Sequence, residues 1–256
     1  MKKSRWIQLD PKRLLPIGRN LTKADLLNIS NQWKGVYLRL FLENNPDLIF
    51  SKHAFAYVKE LSKESGRLRK DRRGDFIHPY RVAQMVALFV VWYCEIFDTP
   101  LDRRLLDILI AVALLHDAPE DYDGVWGEIL KLFGVHISSV VDNLVIRDSE
   151  KKKENKWQYF VRVFSDLIAI IVKAADRIHN TKNMAKHIGK TDFFTPKRIS
   201  DQNKESREFI IPAMQKLIEQ MGSESLFAYM LRELEMTIVD SEAILYRYQI
   251  AQGRME

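Results

Sequence analysis

Apolar residues recur along this chain at intervals of three and four, the spacing of amphipathic α-helices, and no segment alternates convincingly as a strand. Two stretches, residues 83–97 and 105–115, are apolar on nearly every face, which is typical of helices buried in a core. The predicted helices span residues 25–40, 51–65, 79–97, 101–116, 126–133, 137–145, 157–178, 202–221 and 224–249. We therefore expect an all-α fold.

Turn-forming residues predict the breaks between these helices. Gly66 suits a helix C-terminus, because glycine adopts the left-handed conformation without strain. Pro79 suits the first turn of a helix, where its missing N–H costs little. Gly134 separates two short helices. Their composition also predicts polar loops at residues 67–77 and 147–154 and a connection at residues 189–200.

Composition limits the class of protein. The chain has 256 residues, 46% hydrophobic and 29% charged, as in an ordinary globular protein with a substantial core. A single cysteine, Cys94, excludes an intrachain disulfide framework and fits a reducing cytosol. No secretory signal pattern is apparent, and the most apolar stretches are too short to span a bilayer. We expect a cytoplasmic protein that does not cross a membrane.

The helices are expected to form one domain in three parts. Residues 1–50 would be an N-terminal helical extension packed on the core, 51–188 the core itself, and 189–256 C-terminal helices that complete the domain. The last predicted helix has an apolar face that includes Phe227, Leu234 and Ile238. We favour core packing for this face over a dimer interface. A homo-oligomer is kept as an alternative.

The net charge of +6 indicates a negatively charged partner, such as a nucleotide polyphosphate, a membrane surface or a nucleic acid. One tight group of cations directly precedes the candidate site, and its members are Arg67, Arg69, Lys70, Arg72 and Arg73. The run at residues 151–153 is interpreted as solvated surface. A small-molecule nucleotide is the favoured partner, and nucleic acid is not.

Four residues from three distant segments are candidate ligands of one metal ion: His78, His116, Asp117 and Asp176. Each lies at or near the end of a strongly apolar stretch, where a buried helix would hold it rigidly. Two imidazoles and two carboxylates suit a hard divalent cation such as Mn²⁺ that keeps positions open for water or substrate. Taken alone, Asp176 is better explained by a salt bridge to Lys173 or Arg177. The set together predicts a metal-dependent hydrolase.

Two acids follow the His-Asp pair at a spacing that suits proton transfer. Glu120 and Asp121 lie three and four residues beyond Asp117, where they are candidates to orient or deprotonate the attacking water. The simpler explanation is an acidic helix start favoured by the helix dipole. Asn180, four residues after Asp176, is a candidate contact for phosphate or ribose, whereas His179 is expected to pack beside the site.

These motifs together resemble the HD-domain phosphohydrolases, and more narrowly the hydrolase domain of RelA/SpoT-type (p)ppGpp enzymes and the small alarmone hydrolases. The resemblance covers about residues 51–184. It rests on His-Pro at 78–79, His-Asp-x-x-Glu-Asp at 116–121 and Ala-Asp-Arg-Ile-His-Asn at 175–180, with Arg-Lys-Asp at 69–71, Val-Ala at 82–83, Ala-Leu-Leu at 113–115 and Phe-Gly at 133–134.

The resemblance implies an HD-domain helical bundle that removes pyrophosphate from the 3′ position of guanosine tetra- or pentaphosphate. It implies Mn²⁺ at the four candidate ligands and activation of water by Glu120 and Asp121. Nucleotide contacts would come from Arg69, Lys70 and Asn180. The segment between Gly74 and His78 is shorter than the family pattern, so the phosphate-contacting arginine is one of Arg69, Arg72 and Arg73. No synthetase domain follows, and alarmone synthesis is not expected.

Two alternatives stay open. In the first, the same metal chemistry acts on another nucleotide or on a dinucleotide cofactor that carries a 2′-phosphate. In the second, the scaffold only binds a nucleotide or nucleic acid. Substitution of Glu120 separates catalysis from binding, because an enzyme should lose turnover and keep its metal.

Overall fold

The computed structural model describes residues 38–66, 75–149, 152–190 and 194–253. These residues form helices joined by short turns, with one two-residue β-ladder, which confirms the predicted all-α class. In chain order the elements are α1 (Leu38–Glu43), α2 (Ile49–Ser65), α3 (Ile77–Ile96), α4 (Arg103–Leu115), α5 (Ala118–Asp121), α6 (Trp126–Leu144), β1 (Asp148–Ser149), β2 (Lys152–Lys153), α7 (Lys156–Val163), α8 (Leu167–Lys186), α9 (Pro196–Glu205), a π-helical turn (Ser206–Ile210), α10 (Ile211–Met221) and α11 (Leu226–Ala251).

Helix α4 lies at the centre of the bundle. Every residue from 106 to 115 is buried, as its apolar character on nearly all faces predicted. Helices α2 and α3 pack against α4, and α8 packs against α3, α4 and α6. The start of α3 lies beside the end of α4, since the ring centroids of His78 and His116 are 5.2 Å apart. This antiparallel pairing positions the candidate site at one end of the α3–α4 pair.

The chain ends described by the structure pack on the same core. Leu38, Phe41 and Leu42 of α1 are buried in it, as are Met230 and Leu234 of α11. Helix α11 lies along α8 and α3, and α10 packs on α11. The helix predicted at residues 25–40 lies mostly outside the described residues. Within the described part of the chain, none of the helices combines the length and the apolar character needed to cross a membrane.

Several helices begin and end where local signals predict. Gly66 ends α2 in the left-handed conformation, with φ of 58°. The Asp102 side chain accepts a hydrogen bond of 2.9 Å from the N–H of Leu105 at the start of α4. Gly134 interrupts α6 with φ of 77°, so the two short helices predicted there are one kinked element. Helix α3 begins at Ile77, two residues before Pro79.

The start of α2 depends on a partner far away in the sequence. Asp107 of α4 accepts hydrogen bonds from the N–H groups of Phe50 and Ser51, at 3.0 and 2.7 Å, and one of 2.6 Å from Ser51 Oγ. A negative charge at a helix N-terminus satisfies donors that have no partner within the helix. Asp107 is buried, and its oxygens are matched by donors.

The single long helix predicted at residues 157–178 is wrong. The chain forms two helices there, α7 and α8, because Asp166 is the N-cap of α8. Its Oδ1 accepts from the N–H groups of Ile168 and Ala169 at 2.8 and 3.0 Å. Apolar residues on both sides of this break continue the helical spacing, so periodicity did not reveal the cap.

The helix predicted at residues 202–221 is also divided. It starts earlier, at Pro196, within the segment predicted as a connection. A π-helical turn at Ser206–Ile210 then precedes Pro212, which has no N–H to donate and disrupts regular α-helical pairing. The charged loop predicted at 147–154 contains the antiparallel ladder of β1 and β2, with Asp148 opposite Lys153.

Candidate metal centre

Three helices and the turn after α4 bring the four predicted ligands together. His78 stands in the first turn of α3, His116 follows α4, Asp117 precedes the single turn α5, and Asp176 lies in the middle of α8. His78, His116 and Asp176 form a group whose ligand atoms all lie within 4.8 Å of one another. Asp117 is outside that group but contacts both imidazoles: its Oδ2 lies 3.2 Å from His78 Nε2, and its Oδ1 lies 3.1 Å from His116 Nε2.

Burial differs sharply within this cluster. The side chains of His78, His116 and Asp176 are only 1%, 3% and 6% exposed, whereas that of Asp117 is 29% exposed. Asp117 is therefore the member of the cluster that reaches solvent. A small substrate would approach from the Asp117 side.

Each imidazole has its Nε2 in the cluster, and a hydrogen bond at its Nδ1 orients the ring. His116 Nδ1 lies 2.8 Å from the carbonyl oxygen of Ala113, so this nitrogen carries a proton and donates it. His78 Nδ1 lies 2.8 Å from His179 Nδ1. His78 is the donor in that pair whenever its Nε2 acts as a ligand. His179, expected to pack beside the site, thus holds a candidate ligand in position.

When both imidazoles are neutral, the cluster consists of acceptors that face one another. His116 Nε2 is buried and has no hydrogen-bond partner among the described residues, and His78 Nε2 lies 3.0 Å from Asp176 Oδ1. The 3.1 Å contact of His116 Nε2 with Asp117 is likewise a contact of lone pairs when the imidazole is neutral. Such an arrangement is favourable only with positive charge between the groups. Two nitrogen and two oxygen donors fit a divalent cation.

The pKa values of His116, Asp117 and Asp176 also indicate that the cluster stabilises positive charge. Burial opposes the charging of His116, but the carboxylates of Asp117 and Asp176 outweigh burial and raise the pKa of His116 to about 9. Burial likewise opposes ionisation of Asp117, yet His116 and His78 hold its pKa well below the ordinary 3.8. The pKa of Asp176 is also lowered far below its usual value against burial, chiefly by Lys173. Both acids therefore stay ionised.

Two side chains of α8 hold the Asp176 carboxylate. Lys173 Nζ lies 3.1 Å from Oδ2, and the Asn180 amide donates to Oδ1 at 2.6 Å. The salt bridge considered for Asp176 therefore exists together with its place in the cluster, while Arg177 pairs with Glu205 instead. Asn180, predicted to contact substrate, faces a candidate ligand here.

Lys173 is a residue whose contribution the sequence reasoning underestimated. The sequence pattern indicated Lys173 only as a salt-bridge partner of Asp176, an interaction that would explain Asp176 without a metal ion. In the structure its ammonium group also lies 5.4 Å from the centroid of the Tyr159 ring. Burial opposes the charge of Lys173, but Tyr159 and Asp176 raise the pKa of the ammonium group above its ordinary value. The spacing of three residues before Asp176 on one helix was the available signal.

The two acids lie on the single turn α5 at the edge of the cluster. Glu120 is exposed, and its Oε1 accepts a hydrogen bond of 2.9 Å from the N–H of Ile146. Partial removal from water raises the pKa of Glu120; the Ile146 N–H opposes this rise, and the charge of Asp117 adds to it. A carboxylate with a raised pKa is a stronger base. Asp121 ends the turn and is half-buried.

The predicted cationic contacts lie outside the described residues: Arg69, Lys70, Arg72 and Arg73. The neighbouring Arg67 lies outside them as well. The described chain resumes at Asp75, three residues before His78. The predictions for these cations therefore stay predictions.

The buried cluster of two histidines and two acids within a helical bundle defines a candidate metal centre, and comparison with known proteins adds to this description. No family model matches the chain. The chain is 27% identical over 150 residues to a GTP pyrophosphokinase of Myxococcus xanthus, which covers 55% of this chain and 18% of that protein. It is 28% identical over 155 residues to a guanosine-3′,5′-bis(diphosphate) 3′-pyrophosphohydrolase of Spiroplasma citri. This match covers 57% of this chain and 18% of that protein.

A third relative is the bifunctional (p)ppGpp synthase/hydrolase SpoT of Escherichia coli strain K12, with 25% identity over 187 residues. That match covers 67% of this chain and 24% of the relative. The chain thus spans a quarter or less of the length of these relatives. The resemblance to RelA/SpoT-type enzymes predicted from the motifs is confirmed.

Proposed function

We propose that this protein is a Mn²⁺-dependent hydrolase that removes pyrophosphate from the 3′ position of guanosine tetra- or pentaphosphate. The observation that carries the proposal is the set of facing acceptors formed by buried His78, His116 and Asp176 with the partly exposed Asp117. The relatives named for hydrolysis of guanosine bis(diphosphate) or (p)ppGpp support the choice of substrate.

His78, His116, Asp117 and Asp176 would hold the metal ion. A divalent cation at these ligands would supply a Lewis acid that polarises phosphate oxygens and lowers the pKa of water. The chain itself fixes the donors: the Ala113 carbonyl and His179 orient the imidazoles, and Lys173 and Asn180 orient Asp176.

Glu120 would accept the proton of the attacking water. Its Oε1 is held by the Ile146 N–H, so we assign the proton to Oε2. The raised pKa of Glu120 favours this transfer at neutral pH, where a stronger base is more effective. Asp121, one residue further along the same turn, would help to orient the water.

The nucleotide would lie on the open side of the cluster at Asp117. Arg69 and Lys70 would neutralise its phosphates, with Arg72 or Arg73 as the alternative arginine. Asn180, which lies beside Asp176, would also contact the nucleotide. The net charge of +6 favours such a polyanionic substrate. We place the activity in the cytoplasm, as the single cysteine and the nucleotide substrate suggest.

The test is to incubate metal-free protein with guanosine tetraphosphate, with and without added Mn²⁺, and to identify the products. The proposal expects GDP and pyrophosphate only when Mn²⁺ is present. No turnover by protein shown to bind Mn²⁺ would reject the alarmone substrate and leave other nucleotides, tested with a panel that includes 2′-phosphorylated dinucleotides. Failure to bind any divalent cation would reject the metal centre.

Glu120→Gln separates catalysis from binding. It should lower turnover by roughly 10²- to 10⁴-fold, as expected for loss of a general base, while calorimetry finds Mn²⁺ affinity close to that of the wild type. Glu128→Gln is the control, because Glu128 lies on α6 and bonds to Tyr57 rather than to the cluster. Equal turnover by the Glu120 variant and the wild type would remove Glu120 from the mechanism.

A further inference from the structure

The acid-bearing turn α5 is too short to hold its own position. It has four residues, and three backbone hydrogen bonds close it: from the N–H groups of Glu120 and Asp121 to the Asp117 carbonyl, each 3.0 Å, and from Tyr122 to Ala118, 2.9 Å. An isolated helical turn of this length is unstable in water. The orientation of Glu120 must therefore come from contacts that anchor α5 to the rest of the protein.

One such anchor joins the end of α5 to the start of α3. The Tyr122 hydroxyl donates a hydrogen bond of 2.6 Å to Asp75 Oδ2, across 47 positions of sequence. Tyr122 follows Asp121 directly and lies two residues after Glu120. Burial of Tyr122 and its bond to Asp75 raise the pKa of the phenol, so the hydroxyl keeps its proton and remains a donor.

Asp75 is itself held firmly to the helix that carries His78. Its carboxylate accepts from the Phe76 N–H at 2.8 Å and from the Ser62 hydroxyl of α2. Its carbonyl accepts from the N–H of His78 at 3.2 Å. Asp75 is only 6% exposed, so it is a fixed acceptor rather than a mobile surface acid.

We propose that Asp75 and Tyr122 form a positioning clamp that fixes the turn carrying Glu120 and Asp121 relative to the helix carrying His78. The clamp fixes one end of α5. The hydrogen bond from the Ile146 N–H fixes the Glu120 side chain. Among the described residues, neither the Asp75 nor the Tyr122 side chain forms a hydrogen bond with a candidate metal ligand, so the clamp acts on the distance between acid and ligand. This inference rests on the proposed hydrolase function.

The test compares Tyr122→Phe with Tyr57→Phe in the whole 256-residue chain. Tyr57 is a matched control: its hydroxyl donates to Glu128 Oε2 at the same 2.6 Å between α2 and α6, away from the cluster. Each substitution removes one oxygen and keeps the ring. Measured quantities are kcat and KM for guanosine tetraphosphate, Mn²⁺ affinity by calorimetry, and hydrogen exchange of the peptide containing residues 118–122.

Tyr122→Phe should lower kcat by about ten- to hundredfold, the usual cost of misplacing a catalytic group. Mn²⁺ affinity and KM should stay near wild type, and exchange in the 118–122 peptide should become faster. Tyr57→Phe should leave kcat and that exchange unchanged. The double variant Asp75→Asn with Tyr122→Phe should lower kcat no more than the worse single variant, because both remove the same bond.

The clamp is rejected if Tyr122→Phe retains wild-type kcat and wild-type exchange at residues 118–122. It is also rejected if Mn²⁺ affinity falls as much as kcat, because the bond would then act on the ligands. Absence of hydrolysis by the wild type contradicts the proposed function instead. In that case the exchange measurement still decides the clamp, since it needs no substrate.

Discussion

Two buried sites in this protein hold carboxylates, and their surroundings differ in kind. Around Asp107, three donors from Phe50 and Ser51 point at the carboxylate, so its charge is satisfied within the fold. Asp176 also has donors, from Lys173 and Asn180, but the imidazole nitrogens that face Asp117 and Asp176 are themselves acceptors whenever the rings are neutral. A buried acid surrounded by donors stabilises structure, whereas buried acids that face imidazole lone pairs need positive charge there, from a proton or a bound cation.

The difference between Asp107 and Asp176 also shows that burial alone does not identify a candidate metal ligand. Asp107 and Asp176 are similarly buried, at 6% and 4% exposure. Both follow or interrupt apolar runs in the sequence. What distinguishes them is the identity of the partner atoms that other helices supply: N–H and hydroxyl donors for Asp107, imidazole nitrogens for Asp176.

The largest expected effect is on metal binding. Asp117→Asn should weaken Mn²⁺ affinity by at least about a hundredfold, because loss of a direct ligand exceeds the tenfold to hundredfold cost of losing an outer partner. Calorimetric titration of metal-free protein measures this. Asp107→Asn serves as the control and should leave the affinity unchanged. Equal affinities for wild type and Asp117→Asn would mean that Asp117 is not a ligand.

The next effect is on stability and concerns Asp107. Asp107→Ala should lower the free energy of unfolding by about 3 kcal/mol, because two N–H groups and a hydroxyl lose their acceptor. Denaturant titration of metal-free protein measures it. Asp102→Ala removes the local N-cap of α4 and should cost about 1 kcal/mol. A smaller loss for Asp107→Ala than for Asp102→Ala would contradict a structural role for Asp107.

A third effect links the metal to stability. Mn²⁺ at a hundred times its dissociation constant should raise the free energy of unfolding by about 2.7 kcal/mol, since the ion binds only the folded protein. In Asp117→Asn at the same concentration, most of this gain should disappear. Thermal unfolding with and without a chelator provides the measurement. An equal gain in both proteins would place the ion elsewhere.

The smallest effect concerns Glu205, a carboxylate that is satisfied by cations. Burial raises the pKa of Glu205, but Arg177 and Lys156 outweigh it and lower the pKa below its ordinary 4.5. The ionised carboxylate therefore stabilises the fold above pH 4.5, and this contribution is lost as the pH falls through the lowered pKa. Glu205→Gln should cost about 1.5 kcal/mol near neutral pH.

Denaturant titrations from pH 6 downward should show the difference between wild type and Glu205→Gln shrinking below pH 4.5. A difference that stays constant or grows in acid would reverse the assigned sign. Glu242→Gln is the control, because Glu242 pairs with Arg207 at the exposed surface, where an ion pair contributes little.

Much of the local structure could be predicted from the sequence. The left-handed Gly66 and the break at Gly134 were both predicted, because glycine acts through its own backbone. The N-cap at Asp166 was not, since apolar residues continue the helical spacing across it. The π-helical turn before Pro212 also escaped prediction, although proline at that position was its signal.

The sequence by itself determined the all-α class and the residue types of the candidate centre, because helical spacing and ligand chemistry are properties of neighbouring positions. Only the tertiary structure decided which of those residues meet and what supports them. The bonds of Tyr122 to Asp75 and of Ile146 to Glu120 join residues 47 and 26 positions apart. Such partners carry no local pattern, since their proximity results from how the buried faces of separate helices pack.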